Sequence, residues 1–424
     1  MKVLFYGSTG PYVELLQSTL KKISFFLGNI DGNFGMRTRN SVINFQNSFG
    51  LIPDGIVGTN TWNALMPYIN GYIYYTVKPD DSLYSIAEKY NTSINNIITA
   101  NPSLNLSIIY PDQILVVPFG NIVLTNINYI SNFMDMNISS LKIVYPFIET
   151  GNIGYSILGD NIPYVKIGRG QKQVLYTASF HANESITTNL LMKFIENYCY
   201  SISSGGTIYG FDAKNLFNTV SIYIVPMVNP DGVNLVNGAF SQDSTTYNRA
   251  KLISSNFPAI PFPSGWKANI NGVDLNLQFP AEWEKAKEIK FAQGYTQPAP
   301  RDFVGYGPLT EPESLAIYNF ALTHNFRLIL TYHTQGQEIY WQFLNYEPEG
   351  ALEIANIFAD ASGYTVANVP YESGFAGFKD WFVQNYNLPG FTIEAGIGEN
   401  PLPISQFDEI YNDNIGILVL GAVL

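Results

Sequence analysis

The run Val174-Leu175-Tyr176-Thr177-Ala178-Ser179-Phe180-His181-Ala182-Asn183-Glu184 joins a short apolar segment to an imidazole and a carboxylate. An apolar stretch of this length, without alternation and bounded by turn residues, predicts a strand covered on both faces, Val174 to Ala178. His181 and Glu184 follow within one turn of chain, close enough to aim at a common point. Three more runs of the same kind are Val220 to Val225, Leu328 to Tyr332 and Gly390 to Glu394. Helical segments such as Thr187 to Ser201 and Glu311 to Asn325 lie between them. Buried strands alternating with helices predict an α/β fold with a mixed central sheet, from about Phe119 to the last residue, and in such sheets sites gather at strand ends.

The chain has only three histidines, His181, His324 and His333. His333 directly follows the Leu328 to Tyr332 run and offers a third ligand from another strand. Two histidines and one glutamate leave a fourth position open, the donor set of a catalytic zinc. A His-x-x-Glu alone is weak, because such pairs are more often surface or core residues than ligands. His324, in a helical stretch before Asn325, reads as a solvated or helix-end residue.

Composition narrows the rest. The chain has 424 residues, 46% hydrophobic and 13% charged. At ~100–200 residues per domain, that is room for two or three domains with sizeable cores. Twenty-two Lys+Arg against thirty-four Asp+Glu leave a net charge of −12, whose field repels phosphate backbones and argues against a nucleic-acid enzyme. No apolar run is long enough to span a membrane, and the opening Met1-Lys2-Val3-Leu4-Phe5-Tyr6-Gly7 lacks a secretory signal pattern. The lone Cys199 cannot form an internal disulfide and reads as a small buried hydrophobe.

Toward the N-terminus, Asp31-Gly32-Asn33-Phe34-Gly35-Met36-Arg37-Thr38 recurs as Asp54-Gly55-Ile56-Val57-Gly58-Thr59-Asn60-Thr61. Each copy reads as a turn feeding a helix, Thr38 to Phe49 and a short one around Trp62 to Met66, after a first helix from Pro11 to about Ile23. With Leu16-Gln17 and Phe45-Gln46, residues 1–70 resemble the peptidoglycan-binding domain of bacterial cell-wall hydrolases, a three-helix all-α unit. Residues 71–118 read as strand, helix, helix, strand: Tyr74 to Val77, a helix opening at Asp80-Asp81-Ser82-Leu83, Ser93 to Ala100, and Tyr110 to Pro118. Ser82-Leu83-x-x-Ile86-Ala87 and Ala100-Asn101-Pro102 make this segment similar to a LysM module. That resemblance implies binding to N-acetylglucosamine-containing chains through Asp80 to Leu83 and Asn101 to Ile109.

Residues 119–424 resemble the zinc metallocarboxypeptidase family. His181-x-x-Glu184, Asn229-Pro230-Asp231-Gly232, Gly272-Val273-Asp274-Leu275-Asn276, His333, and Asp380-Trp381 followed by Glu394 come in the family's order. The resemblance implies one Zn2+ held by His181, Glu184 and His333, with Glu394 as general base. It implies Lys267 in roughly the place of an oxyanion-steadying arginine, Asn276 as a substrate contact, and Tyr371 as the tyrosine that closes over substrate. After Asn276 the family's carboxypeptidases carry a carboxylate-gripping arginine, where this chain has Leu277. That puts removal of a C-terminal residue in doubt and leaves Arg301 and Arg249 as candidates for another carboxylate contact. With two wall-binding modules, the whole resembles bacterial γ-D-glutamyl-L-diamino acid endopeptidases, which cut the peptidoglycan stem peptide. A DD- or LD-carboxypeptidase or amidase on the same polymer, and an inactive wall-binding scaffold, stay open. A wall substrate without a recognisable signal leaves localisation undecided between unconventional release and action in a sporulating or lysing cell.

Overall fold

The computed structural model describes residues 1–105 and 108–424; Leu106 and Ser107, within the expected sugar-binding loop Asn101 to Ile109, lie outside the described residues. Two buried glutamines explain why the N-terminal turn occurs twice. Gln17 accepts at Oε1 from the backbone N–H groups of Asp31 and Gly32 and donates from Nε2 to Asp31 Oδ1, Asn33 O and Thr38 Oγ1. Gln46 repeats the clamp, accepting from Gly55 N and donating to Asp54 Oδ1, Ile56 O and Thr61 Oγ1. Gly32 and Gly55 sit at φ 66° and 74°, a region that suits glycine. Each repeat thus encodes a turn plugged into a buried amide whose hydrogen-bonding capacity is met.

Three helices frame these turns, Pro11–Lys22, Met36–Ser48 and Thr59–Asn70. The second and third start two or three residues before the positions expected from sequence, because extended Gly35 and Gly58 open them directly. The third also runs past Met66 to Asn70, carrying Pro67 in its last turn at the loss of one i→i−4 hydrogen bond.

Next come β1 (Tyr72–Thr76), helices Leu83–Lys89 and Ile94–Ala100, and β2 (Ile114–Pro118). The strands pair antiparallel from Tyr72↔Pro118 to Thr76↔Ile114. Ser82 and Ser93 cap the helices by accepting from Ser85 N and Asn96 N. Val77, Ile86, Ile97, Leu115 and Val117 fill the interior. Asn101, first residue of the expected sugar-binding loop, is buried and turned inward, its amide bridging Ile97 O to both backbone groups of Val116.

The chain divides into two compact units, Met1–Asn128 with Asn132–Ile148, and Tyr129–Ser131 with Glu149–Leu424. In the second unit lie β3 (Glu149–Tyr155), β4 (Asn161–Ile167), β5 (Lys172–Ala178), a small hairpin of β6 (Thr207–Ile208) and β7 (Phe211–Asp212), β8 (Val220–Val225), β9 (Phe326–His333), β10 (Glu338–Tyr340), β11 (Thr365–Ala367) and β12 (Gly390–Glu394). Eight of them form a mixed sheet in the order β11-β10-β12-β9-β5-β8-β4-β3. Its middle, β12-β9-β5-β8, is parallel, and antiparallel pairs flank it. Successive residues of β5 face opposite sides. Tyr176 donates its hydroxyl to Leu418 O in the helix Phe407–Val423, while Leu175 packs in a core with Ile317 and Phe382 from Pro312–Leu322 and Phe378–Tyr386. Helices therefore cover both faces.

The four apolar runs read from sequence are the four parallel strands. The helix expected over Glu311 to Asn325 is shorter, because Thr323 terminates it. His324 then lies just beyond the helix end, its ring 5.1 Å from that of Phe326 and nearly parallel to it. Cys199 is buried and free. Among the described residues no helix is long and apolar enough to cross a membrane.

Candidate active site

The parallel strands β5, β9 and β12 deliver their C-terminal ends to one edge of the sheet. His181 stands three residues beyond β5, at the mouth of the 3-10 turn Ala182–Glu184. His333 is the last residue of β9 and Glu394 the last of β12, and the two are register partners. On the other side of β12, Glu338 of β10 is also a register partner of Glu394.

His181 Nδ1 lies 2.9 Å from Glu184 Oε1, His333 Nδ1 lies 2.9 Å from Glu184 Oε2, and the two imidazole nitrogens are 3.1 Å apart. All three side chains are buried, and their ligand atoms fall within 4.8 Å of one another. Tetrahedral zinc with N and O ligands at ~2.0–2.2 Å sets those atoms about 3.3 Å apart, so the cluster fits such an ion. The other nitrogen of His181, Nε2, meets Asp274 Oδ1 at 3.2 Å. A carboxylate behind a ligating imidazole fixes its orientation and tautomer.

The electrostatics point the same way. Burial opposes a charged His181, yet Glu184 and Asp274 outweigh it and push the imidazole up to about 9. Burial pushes His333 below its ordinary value. Burial works against an ionised Glu184, but His181 and Lys267 hold it well below the usual carboxylate range. Burial and then the charge of Glu184 push Glu394 up to about 8. The cluster attracts positive charge, and a cation would relieve the crowding of its carboxylates.

These groups line a cleft of about 610 Å3, together with Lys267, Asn276 and Arg301. Lys267 is anchored by backbone hydrogen bonds, Ala182 N to Lys267 O and Lys267 N to Pro300 O, and its Nζ stands 3.5 Å from Glu184 Oε1. Asn276 is fixed at both ends, its N–H donating to Asp274 Oδ1 and its Oδ1 accepting from Phe378 N. Leu277 is buried in the apolar core, so no cation stands at that position.

Two expected residues lie elsewhere. Arg249 is on the helix Thr245–Ser254, which turns Ala250 inward against Trp266 and Ala268; Arg249 faces out and donates to Asn271 Oδ1, away from the cleft. Tyr371 is exposed on the turn Tyr371–Ser373, edge-on to Phe375, and lines an adjoining recess of about 230 Å3 instead of the cleft. Four groups escaped the sequence reading: Asp274 as the partner of His181, Glu338 beside Glu394, the buried ion pair of Lys379 and Asp380, and Lys290 paired with Asp302.

Comparison with known proteins gives three family matches: zinc carboxypeptidase over residues 134–416, putative peptidoglycan binding domain over 9–65, and LysM domain over 75–118. The chain is 45% identical over 298 residues to gamma-D-glutamyl-L-diamino acid endopeptidase 1 of Lysinibacillus sphaericus, covering 70% of this chain and 73% of the relative. It is 41% identical over 292 residues to the uncharacterized protein YqgT of Bacillus subtilis (strain 168), covering 68% and 76%. Among solved structures, carboxypeptidase A from Helicoverpa armigera superposes with a TM-score of 0.52 at 18% identity, covering 92% of this chain and 95% of that one, a likeness of fold.

Proposed function

Because the chain belongs to the zinc carboxypeptidase family and is a zinc metallopeptidase, we propose that it hydrolyses the stem peptide of peptidoglycan at the bond between γ-D-glutamate and diaminopimelate. The observation that carries the proposal is the convergence of His181, Glu184 and His333 beside Glu394 in a chain that also matches two wall-binding domains. The activity in the name of the Lysinibacillus sphaericus relative supports the choice of bond.

Bound at the three ligands, Zn2+ supplies Lewis acidity to the scissile carbonyl and to a water. Glu394, poised at the end of β12, takes a proton from the attacking water and delivers it to the leaving amine. Lys267 places a positive charge where the oxyanion develops; as a point charge it gives stabilisation without the planar fork of arginine. Asn276 contacts the leaving side of the substrate. Asp274 holds the His181 ring in its ligating orientation. In this reading residues 1–70 and 71–118 hold the polymer and 119–424 cut it. Tethering raises the local concentration of cleavable bonds.

Mass spectrometry of products from defined muropeptides tests the proposal. Release of L-Ala-D-Glu from a free stem peptide is expected, and Glu394→Gln should abolish it, losing ~10²–10⁴-fold in kcat, while zinc content and sedimentation with sacculi persist. Release of D-Ala, or cleavage of the amide to the sugar, would replace the proposed bond with another. Undiminished hydrolysis by Glu394→Gln would dismiss the assigned base. No hydrolysis by the zinc-loaded wild type would favour the scaffold.

A further inference from the structure

No cation stands at Leu277, but Lys290 and Arg301 both line the cleft. Lys290, in the helix Trp283–Ala292, is buried and lines the cleft, with Nζ 2.7 Å from Asp302 Oδ1. The second oxygen of the same carboxylate, Oδ2, takes Arg301 Nε at 2.5 Å. One carboxylate thus holds two cations. Asp302 is itself fixed by its N–H, which donates to Asp274 Oδ2. Burial works against its ionisation, but Arg301 and Lys290 overcome that and keep it below the ordinary carboxylate range. In the trio Lys290, Asp302 and Arg301 two cations share one carboxylate, whereas Lys379 and Asp380 pair one to one.

Arg301 meets Asp302 through Nε, its side chain is 43% exposed and it lines the cleft, where its terminal nitrogens can meet a ligand. A guanidinium tethered at one edge meets a carboxylate through two parallel hydrogen bonds, and a fork already held in place loses little freedom on binding. Position matters as much as charge. Pro300, the residue before Arg301, accepts backbone hydrogen bonds from both Lys267 and Ala268. Arg301 and Lys267 thus sit on adjacent bonded segments that both line the cleft, which puts an anion at Arg301 within a few bonds of a carbonyl that faces Lys267. Most acyl residues have no anion there. A γ-linked glutamyl residue does: its free α-carboxylate is only three carbons from the scissile carbonyl.

We propose that Arg301, positioned by Asp302 and Lys290, binds the free α-carboxylate of the γ-glutamyl residue, so that the enzyme discriminates against substrates in which this group is a carboxamide. The inference rests on the stem-peptide reading above. Arg301 touches the substrate; Asp302 and Lys290 are positioning residues.

The test is the ratio of kcat/KM for two stem peptides differing only in that group, carboxylate or carboxamide, with the zinc-loaded full chain. Wild type should favour the carboxylate by ~10- to 100-fold, the range for a charge-assisted pair. Arg301→Gln should collapse the ratio toward one, chiefly through the carboxylate substrate. Arg301→Lys should restore part of it, and Lys290→Met, which frees one oxygen of Asp302 to draw Arg301 aside, should reduce it. A ratio is insensitive to general damage, which lowers both rates alike. Equal cleavage of both peptides by wild type, or an unchanged ratio in Arg301→Gln, overturns the inference while leaving the γ-glutamyl reading intact. Cleavage of neither peptide by wild type overturns that reading and this inference with it.

Discussion

The loop that carries Lys267 and Asp274 hangs on a buried acid, and stability should register it. Glu313, in the first turn of the helix Pro312–Leu322, is fully buried. Its Oε1 accepts from Ile157 N at 3.3 Å and its Oε2 from Asn269 Nδ2 at 3.3 Å. Asn269 in turn pins the 266–273 loop, accepting at Oδ1 from Asn271 N and Val273 N. Burial, with the charge of Asp231 adding to it, pushes Glu313 from 4.5 to about 7. An acid whose folded value is raised keeps its proton in the native state after the unfolded chain has released it. Stability is therefore greatest below pH ~4.5, falls as pH rises toward 7, and levels off above. At ~1.4 kcal/mol per pH unit, the gap between 4.5 and about 7 is worth ~3 kcal/mol. Glu313→Gln removes that loss but turns an amide toward Asn269 Nδ2, which costs about 1 kcal/mol. The net gain at pH 8.5 is ~2 kcal/mol, which for a unit of this size raises Tm by ~4–8 °C. At pH 5 the two proteins should melt together, or the variant slightly lower. Scanning calorimetry of the zinc-loaded proteins at both pH values measures the difference. Asp231, pushed up to about 6 mainly by burial, tilts both curves alike and cancels. An equal Tm difference at pH 5 and pH 8.5 would refute the assignment of a protonated native Glu313.

Two further outcomes follow from hydrogen bonds already described. Asp274→Ala removes the carboxylate behind His181 and should weaken zinc affinity ~10- to 100-fold, read by competition with a chromophoric chelator; unchanged affinity would mean that His181 is oriented by something else. Gln46→Leu strips Gly55 N, Ile56 O and Thr61 Oγ1 of their shared partner and should destabilise that turn by ~2–4 kcal/mol. Hydrogen exchange across residues 54–61 would show it, and protection equal to wild type would count against the clamp.

The cluster of His181, Glu184 and His333 was legible because the chain offers few histidines and two of them follow apolar runs that read as buried strands. Parallel pairing does the rest, bringing His333 to a carboxylate 149 positions away. Asp274 was not legible as a partner of His181: nothing in Asp-Leu-Asn says that its carboxylate faces an imidazole 93 residues away. Lys290 left a signal that went unread, since Trp283, Ala286 and Lys290 form one buried helical stripe and set this lysine apart from its solvated neighbours. The outlying strands were missed for a different reason. β3 is mostly exposed and contains two glycines, and β10 and β11 are three residues each, too short for periodicity to register. Arg249 was misplaced because sequence does not tell which side of a short helix meets the protein; Ala250, its neighbour, does.

The pairing of Glu394 with His333 across β12 and β9 makes the sheet itself a ruler for catalysis. The separation of Glu394 from His333 is set by the spacing of two backbones, independent of loop length around the cleft. The same arrangement has a fragile axis. One residue inserted or deleted within β12 would send the carboxylate to the opposite face of the sheet, away from the cleft.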